Sequence, residues 1–421
     1  MLDWVLNAKI KIIWTNCISK YYKKTKFHIK SMGGVDWFKN AIIYHILIDR
    51  FAGYATTENW NKPIFLGGNI DGIIKKLSYL QNLGVNTIWI SPFYKTSAYH
   101  GYHVADFYQV DPYFGTDEDI SNLIKTVHKN DMQIIADFVA NHCSKEHPFF
   151  KDAQQNKNSE YQQWFYFTRW PDDYLCFLSV RELPKINLDY PQARDHITNA
   201  AKHWLSYGFD GYRLDHVIGP PHSFWKEFKK EIKKEYPHAV LIGEAWMKGI
   251  KLNELKTINV RGKFLKWFSG ASSDNLLKEY VGELDGVLDF RLQEIIKDYI
   301  TGKRPNQSKQ MLYETVKNRY EKYPNDYFLP TFLDNHDMNR FLFDCKNDKE
   351  KLKEAATIQF SLNQPAIIYY GTEIGMTQEK SLWEFQTNGD LQARQPMKWE
   401  QQDTELLYFY KKLIEEKKKR K

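Results

Sequence analysis

A chain of 421 residues with 43% hydrophobic and 26% charged residues has ample material for a large buried core, which excludes a small stapled scaffold and wholesale disorder. Lys+Arg 59 against Asp+Glu 52 leaves +7, a modest excess that falls partly at the chain ends and does not point to a nucleic-acid partner. The four cysteines, Cys17, Cys143, Cys176 and Cys345, form no Cys-x-x-Cys pair, which argues against a disulfide framework or a structural zinc site.

Residues 1–32 read as a basic amphipathic leader, with Leu2, Val5, Leu6, Ile10, Ile13, Cys17, Ile18 and Tyr21 on one helical stripe and lysines opposite. Lys and Asn interrupt every apolar run there, so neither a secretory signal nor a spanning helix of about 18 apolar residues is present, and a cytoplasmic location is expected. The apolar stripe needs cover, which predicts either packing of the leader on the domain or a homo-oligomer. From there, eight short apolar runs alternate with mostly helical segments. The runs are 41–48, 85–90, 134–139, 208–214, 240–242, 287–290, 328–333 and 366–370, and the helical segments include 70–83, 120–129, 193–206 and 351–361. This order predicts an α/β fold of the parallel (β/α)8 barrel type. Barrel segments are expected at 33–142 and 191–421, with an inserted domain at 143–190, where about fifty residues rich in Asn, Gln, Pro and aromatics replace a short loop. One more helix, 404–416, precedes the basic tail KKKRK.

Barrel enzymes carry their reacting groups at the carboxyl ends of strands, so the polar residues after each run are the ones that matter. The third run ends in DFVANH, the fourth in GFDGYRLDH, the fifth in LIGEAW and the seventh in FLDNHD. Carboxylates at four strand ends, with His and Arg beside them, suit cleavage of a glycosidic bond, where one carboxylate attacks and another protonates the leaving oxygen. Arg213 and Asp215 are two apart and share one side of a strand. The guanidinium is expected to lower the Asp215 pKa, as a nucleophile needs. Glu244 has no adjacent cation in sequence and sits between Ile242 and Trp246, which predicts a raised pKa and a general acid. Asp337, beside His336, is placed to grip sugar hydroxyls. Aromatics make up 16% of the chain, and aromatic faces are what sugar rings stack on. The cluster His142, Cys143, Glu146, His147 resembles a zinc set only superficially, because Asn141-His142 ends a strand and the rest enters the insertion.

These segments resemble, in order and spacing, the signature regions of the α-amylase family of retaining glycoside hydrolases, from about Trp37 to Glu416. The resemblance implies Asp215 as nucleophile, Glu244 as acid/base and Asp337 as transition-state stabiliser. It further implies that Arg213, His142 and His336 surround the sugar before the cleaved bond, that Tyr102 stacks on that sugar, and that the insertion is the family's B domain. The expected substrate is an α-1,4-linked glucan or maltooligosaccharide, with α-1,6 bonds included. LPKINLD (Leu183 to Asp189) is similar to the MPKLN-type stretch of neopullulanases and cyclomaltodextrinases. The chain departs from α-amylases proper after Asp215, reading His216-Val217-Ile218-Gly219 where they carry Lys-His, and no segment for the family's C-terminal β-sandwich follows the last helix. Tyr99 stands where exo-acting relatives place an Asp, which predicts a cleft continuing past the cleaved sugar. Asn141 matches a calcium ligand of many members, while an Asn at a strand end is also a common hydrogen-bonding cap, so both readings stay open. Two rivals remain: a transglycosylase or sugar isomerase on the same scaffold, and a non-catalytic glucan-binding relative, which would have lost one of the three acids.

Overall fold

The computed structural model describes residues 34–420 except 55, 263–272 and 386, so the expected leader over 1–32 lies outside the described residues. Seven parallel strands form one sheet: β1 (Ile42–Ile46), β2 (Thr87–Ile90), β3 (Gln133–Phe138), β4 (Gly211–Leu214), β5 (Val240–Gly243), β6 (Gly286–Val287) and β7 (Ala366–Tyr369). Their order is β6-β5-β4-β3-β2-β1-β7. Residues 328–331 stand between the two edges, because Phe328 bridges Gly286 and Thr331 bridges Ala366, both in parallel. The seventh expected run is thus present as two bridges and not as a ladder. Pro330 in its middle has no N–H to donate, which breaks regular pairing. The curled parallel sheet fits the predicted (β/α)8 barrel.

Alternation along each strand divides the core in two. Ile42, Tyr44, Ile46, Ile88, Ile90, Ile134, Ala136 and Phe138 pack outward in the layer that meets the helices, while Ile43, Trp89, Ile135, Ile242 and Ile367 fill the interior. Parallel strands covered on both faces read as continuous apolar runs, which is why they were visible in the sequence. The predicted helix 70–83 is two pieces, Ile70–Lys75 and Leu77–Leu83, ended by Gly84 at φ +99°, a left-handed cap that glycine adopts without a Cβ penalty. Asp117–Lys129 starts in a capping box between Thr116 and Asp119. His222–Glu235, Phe290–Ile300 and Lys309–Tyr320 complete the helical layer beside Pro191–Ser206 and Lys349–Ser361.

Between β3 and Pro191 the chain forms a helix (Pro148–Gln155), a small antiparallel hairpin (Phe167–Arg169 with Asp173–Tyr174) and a tight turn (Phe177–Ser179). It then returns beside its own start, where His142 bridges Lys185 in antiparallel sense. This return brings the LPKIN stretch against the carboxyl end of β3.

Trp204 on the helix Pro191–Ser206 is fully buried, donates from its indole to the Phe107 carbonyl at 2.7 Å, and meets Phe93 edge-on. Trp204→Ala should cost about 3–5 kcal/mol by removing packed area and orphaning that carbonyl. Denaturant unfolding of the variant against the parent checks this.

Candidate active site

The parallel register places Asp137 of β3 opposite Arg213 of β4, and Arg213 opposite Ile242 of β5. Inward-facing positions two residues further on are Asp215 and Glu244, so four polar groups converge at one end of the barrel. Arg213, only 1% exposed, is the hub. Its Nη1 donates to both oxygens of Asp137 at 2.8 and 2.9 Å and to Asp215 Oδ1 at 2.8 Å, and its Nη2 ion-pairs with Glu244 Oε1. The expectation that Glu244 lacks a cation is therefore corrected, because the strand-to-strand register supplies one that sequence adjacency does not reveal.

The expected acidity of Asp215 is corrected as well. Burial pushes its carboxyl well above the usual carboxylate range; the Arg213 charge opposes this, and Glu244 and Asp137 add to the rise. Glu244 is also raised, first by burial, with Arg213 opposing and Asp337 reinforcing. One guanidinium faces three carboxylates, so Asp215 and Glu244 each release a proton less readily than a free carboxyl. Asp337 behaves oppositely. Burial pushes it up, but His336, Arg394 and Arg213 outweigh that and hold it well below the usual range. Its Oδ1 accepts from Arg394 at 2.7 Å, and its Oδ2 lies 3.1 Å from His336 Nε2.

Tyr102 and His336 stack face to face with centroids 5.2 Å apart, and the Tyr102 hydroxyl donates to Asp137 at 2.8 Å. Tyr102 is thus tied to the same hub. His142 is buried, its imidazole pushed down to about 3 first by burial, and it packs against Phe177 of the inserted turn at 4.8 Å. It contacts neither Asp215 nor Glu244 through a hydrogen bond. Asn141 Oδ1 accepts from the Lys185 ammonium at 2.9 Å, so the oxygen that a calcium ion would need is already taken by a cation of the chain, and the local donors do not fit the ion. Among the described residues no group of three or more His, Cys, Asp or Glu is placed to hold a metal.

Two further residues were not singled out from the sequence. Asp137, fully buried, also accepts from the Trp89 indole at 3.3 Å and anchors Arg213; its signal was its inward position on β3, two residues before Val139. Arg394 bonds Asp337, the His336 carbonyl at 2.9 Å and Asp390 at 2.5 Å. It lies in a loop beyond β7, with no periodicity to mark it. Tyr99 is 2% exposed, its hydroxyl 3.4 Å from Arg394 and its ring 4.1 Å beneath Arg50, so it braces Arg394 from behind.

Replacing the hub by Met leaves three buried carboxylates without their cation. Arg213→Met should lower stability by about 3–5 kcal/mol at neutral pH. Because Asp215 and Glu244 already have raised folded-state values, the loss should shrink as pH falls toward their unfolded values of about 4, where protonated carboxyls need no partner. Unfolding curves at pH 7.5 and pH 5 check the sign.

A family model described as the alpha amylase catalytic domain matches residues 45–260 and 268–406. Alpha-amylase 2 of Dictyoglomus thermophilum is 38% identical over 383 residues, covering 90% of this chain and 63% of that protein. Neopullulanase 2 of Thermoactinomyces vulgaris is 30% identical over 404 residues, again covering 90% of this chain and 63% of the relative. The chain therefore spans less than two thirds of these relatives' length. The crystal structure of an alpha-amylase from Geobacillus thermoleovorans, complexed with acarbose, superposes with a TM-score of 0.72 at 30% identity, covering 91% of this chain and 79% of that one. With the family model matching most of the chain and the curled parallel sheet carrying the acids at its carboxyl end, the chain belongs to the alpha-amylase catalytic-domain family.

Proposed function

We propose that the protein is a retaining glycoside hydrolase that cleaves α-1,4-glucosidic bonds of maltooligosaccharides or related α-glucans, α-1,6 bonds among them, by double displacement. The observation that carries this reading is the Arg213 fork, which holds Asp215 and Glu244 on one guanidinium. Carboxyls held that close suit the separation of about 5 Å used in covalent displacement better than the wider gap of about 6.5–9.5 Å that admits a water.

Asp215, hydrogen-bonded to Arg213, attacks the anomeric carbon. Glu244, whose carboxyl burial raises, carries the proton and delivers it to the leaving oxygen; once deprotonated, it becomes the base that activates water for the second step. Asp337, held well below the usual carboxylate range beside His336 and Arg394, supplies fixed negative charge to the ring as it flattens toward an oxocarbenium ion. The stacked Tyr102–His336 pair offers an aromatic floor for the sugar. Neopullulanase among the relatives and the MPKLN-like stretch support α-1,6 bonds as substrates beside α-1,4 ones. Tyr99, buried behind Arg394, carries no carboxylate to hold a chain end, which favours maltooligosaccharides over maltose.

Proton NMR of the earliest product should show the α-anomer, since two inversions restore the starting configuration; an initial β-anomer would refute the assignment. Asp215→Asn should lower turnover by several powers of ten with glucan binding nearly intact. Rates on maltohexaose alongside calorimetric binding of the same sugar check both halves.

A further inference from the structure

We infer that the Lys185 ammonium is a built-in cation that sets the acid/base side of the site, making Lys185 a positioning residue for Glu244; this rests on the proposed function. Lys185 comes from the inserted segment and is 3% exposed. Its Nζ donates to Asn141 Oδ1 at 2.9 Å, the Gly219 carbonyl at 2.6 Å and the Thr257 carbonyl at 2.9 Å. These oxygens belong to the segments following β3, β4 and β5. An ammonium has three protons in a compact head, and three acceptors from three loops match it. A calcium ion prefers six to eight oxygens, usually including carboxylates. The three oxygens bound by Lys185 include no carboxylate.

The tie reaches Glu244 through the turn after the nucleophile. His216 adopts φ +45°, a conformation a histidine holds only when its surroundings impose it. Its backbone N–H donates to Glu244 Oε2 at 3.3 Å, and the next N–H, of Val217, donates to the Glu244 carbonyl at 3.1 Å. Gly219 N–H closes the turn onto the His216 carbonyl at 2.9 Å. A Cβ on Gly219 would stand 2.0 Å from Asn141 Oδ1 and 2.9 Å from the His216 ring, so the turn is pressed directly against the oxygen that Lys185 holds. Phe177 of the inserted turn abuts the His216 ring edge-on at 4.7 Å. Removing the ammonium leaves the Thr257 carbonyl short of a buried donor and the Gly219 carbonyl held by the Asn259 amide alone, at 2.6 Å, so the strained turn is freed to relax and carry its N–H away from Glu244.

Three measurements test this. In the unaltered protein, treatment with EDTA and then millimolar calcium should move the melting temperature by no more than about 1 °C, because the cation is covalently part of the chain; a rise of several degrees with calcium overturns the inference. In Lys185→Met, kcat on maltohexaose should fall about 100-fold with KM within about 3-fold, while kcat on α-maltosyl fluoride, whose leaving group needs no protonation, should fall less than about 5-fold. Equal losses on both substrates overturn the link to Glu244. In Lys185→Ala, ethylammonium should restore stability and activity, and tetramethylammonium, which has no N–H, should not; equal rescue by both overturns the donor role. A protein that cleaves neither substrate refutes the proposed function, while the calcium and amine melting measurements still decide the role of Lys185.

Discussion

The site depends on one guanidinium buried under three carboxylates. Arg213 cannot reach water, and a buried cation without partners is expensive, so Asp137, Asp215 and Glu244 are conditions of its being there. The converse also holds, since Asp137 is fully buried and takes two bonds from Arg213. These four groups come from three neighbouring parallel strands, and their meeting requires the observed register. A slip of one residue in β4 would turn Arg213 and Asp215 into the helix layer and leave Asp137 unpaired inside. Barrel closure and site assembly are therefore one problem, and the charge cluster penalises every misregistered alternative.

The two walls of the site sit in opposite electrostatic regimes. On the Asp215–Glu244 side one cation serves three acids, and burial raises both carboxyls. On the Asp337 side, His336 and Arg394, the latter paired with Asp390 as well, flank an acid whose side chain is 32% exposed, and it is held low. A mobile proton thus belongs to one wall and a fixed negative charge to the other. That division is what acid-assisted departure of a leaving group needs beside an electron-poor carbon. Arg394 maintains it from a loop beyond β7, braced by Asp390 and Tyr99.

Legibility in the sequence followed local pattern. Strands buried on both faces announced themselves as apolar runs, and the acids at their ends followed from the barrel's habit of placing chemistry there. The alternation that put Arg213 and Asp215 on one side was readable from two positions. Whether Arg213 also reaches Glu244 and Asp137 was not, because that depends on register between strands whose intervening loops differ greatly in length. The run at 328–333 looked like a strand by composition, and Pro330 reduced it to two bridges. Asp137 was visible but unassigned, since a lone acid on a strand is usually structural. Arg394 left no pattern, as loop residues seldom do.

The inserted segment supplies what rigid strands cannot. The strands fix the charges by register, yet the turn carrying His216 must depart from strand geometry to aim an N–H at Glu244, and it does so at positive φ. Strain of that kind costs on the order of 1–3 kcal/mol and persists only where neighbours over-determine it. The neighbours here are Lys185 and Phe177, both from the insertion, and Phe177 itself precedes two residues at positive φ, Leu178 and Ser179. Strain therefore concentrates where the insertion meets the barrel. An ammonium suits this junction because it brings its own tether: the same residue that donates to the three oxygens also pairs its backbone with His142, beside the end of β3. A free ion could be held by the same oxygens, but it would carry no covalent link from them to the insertion.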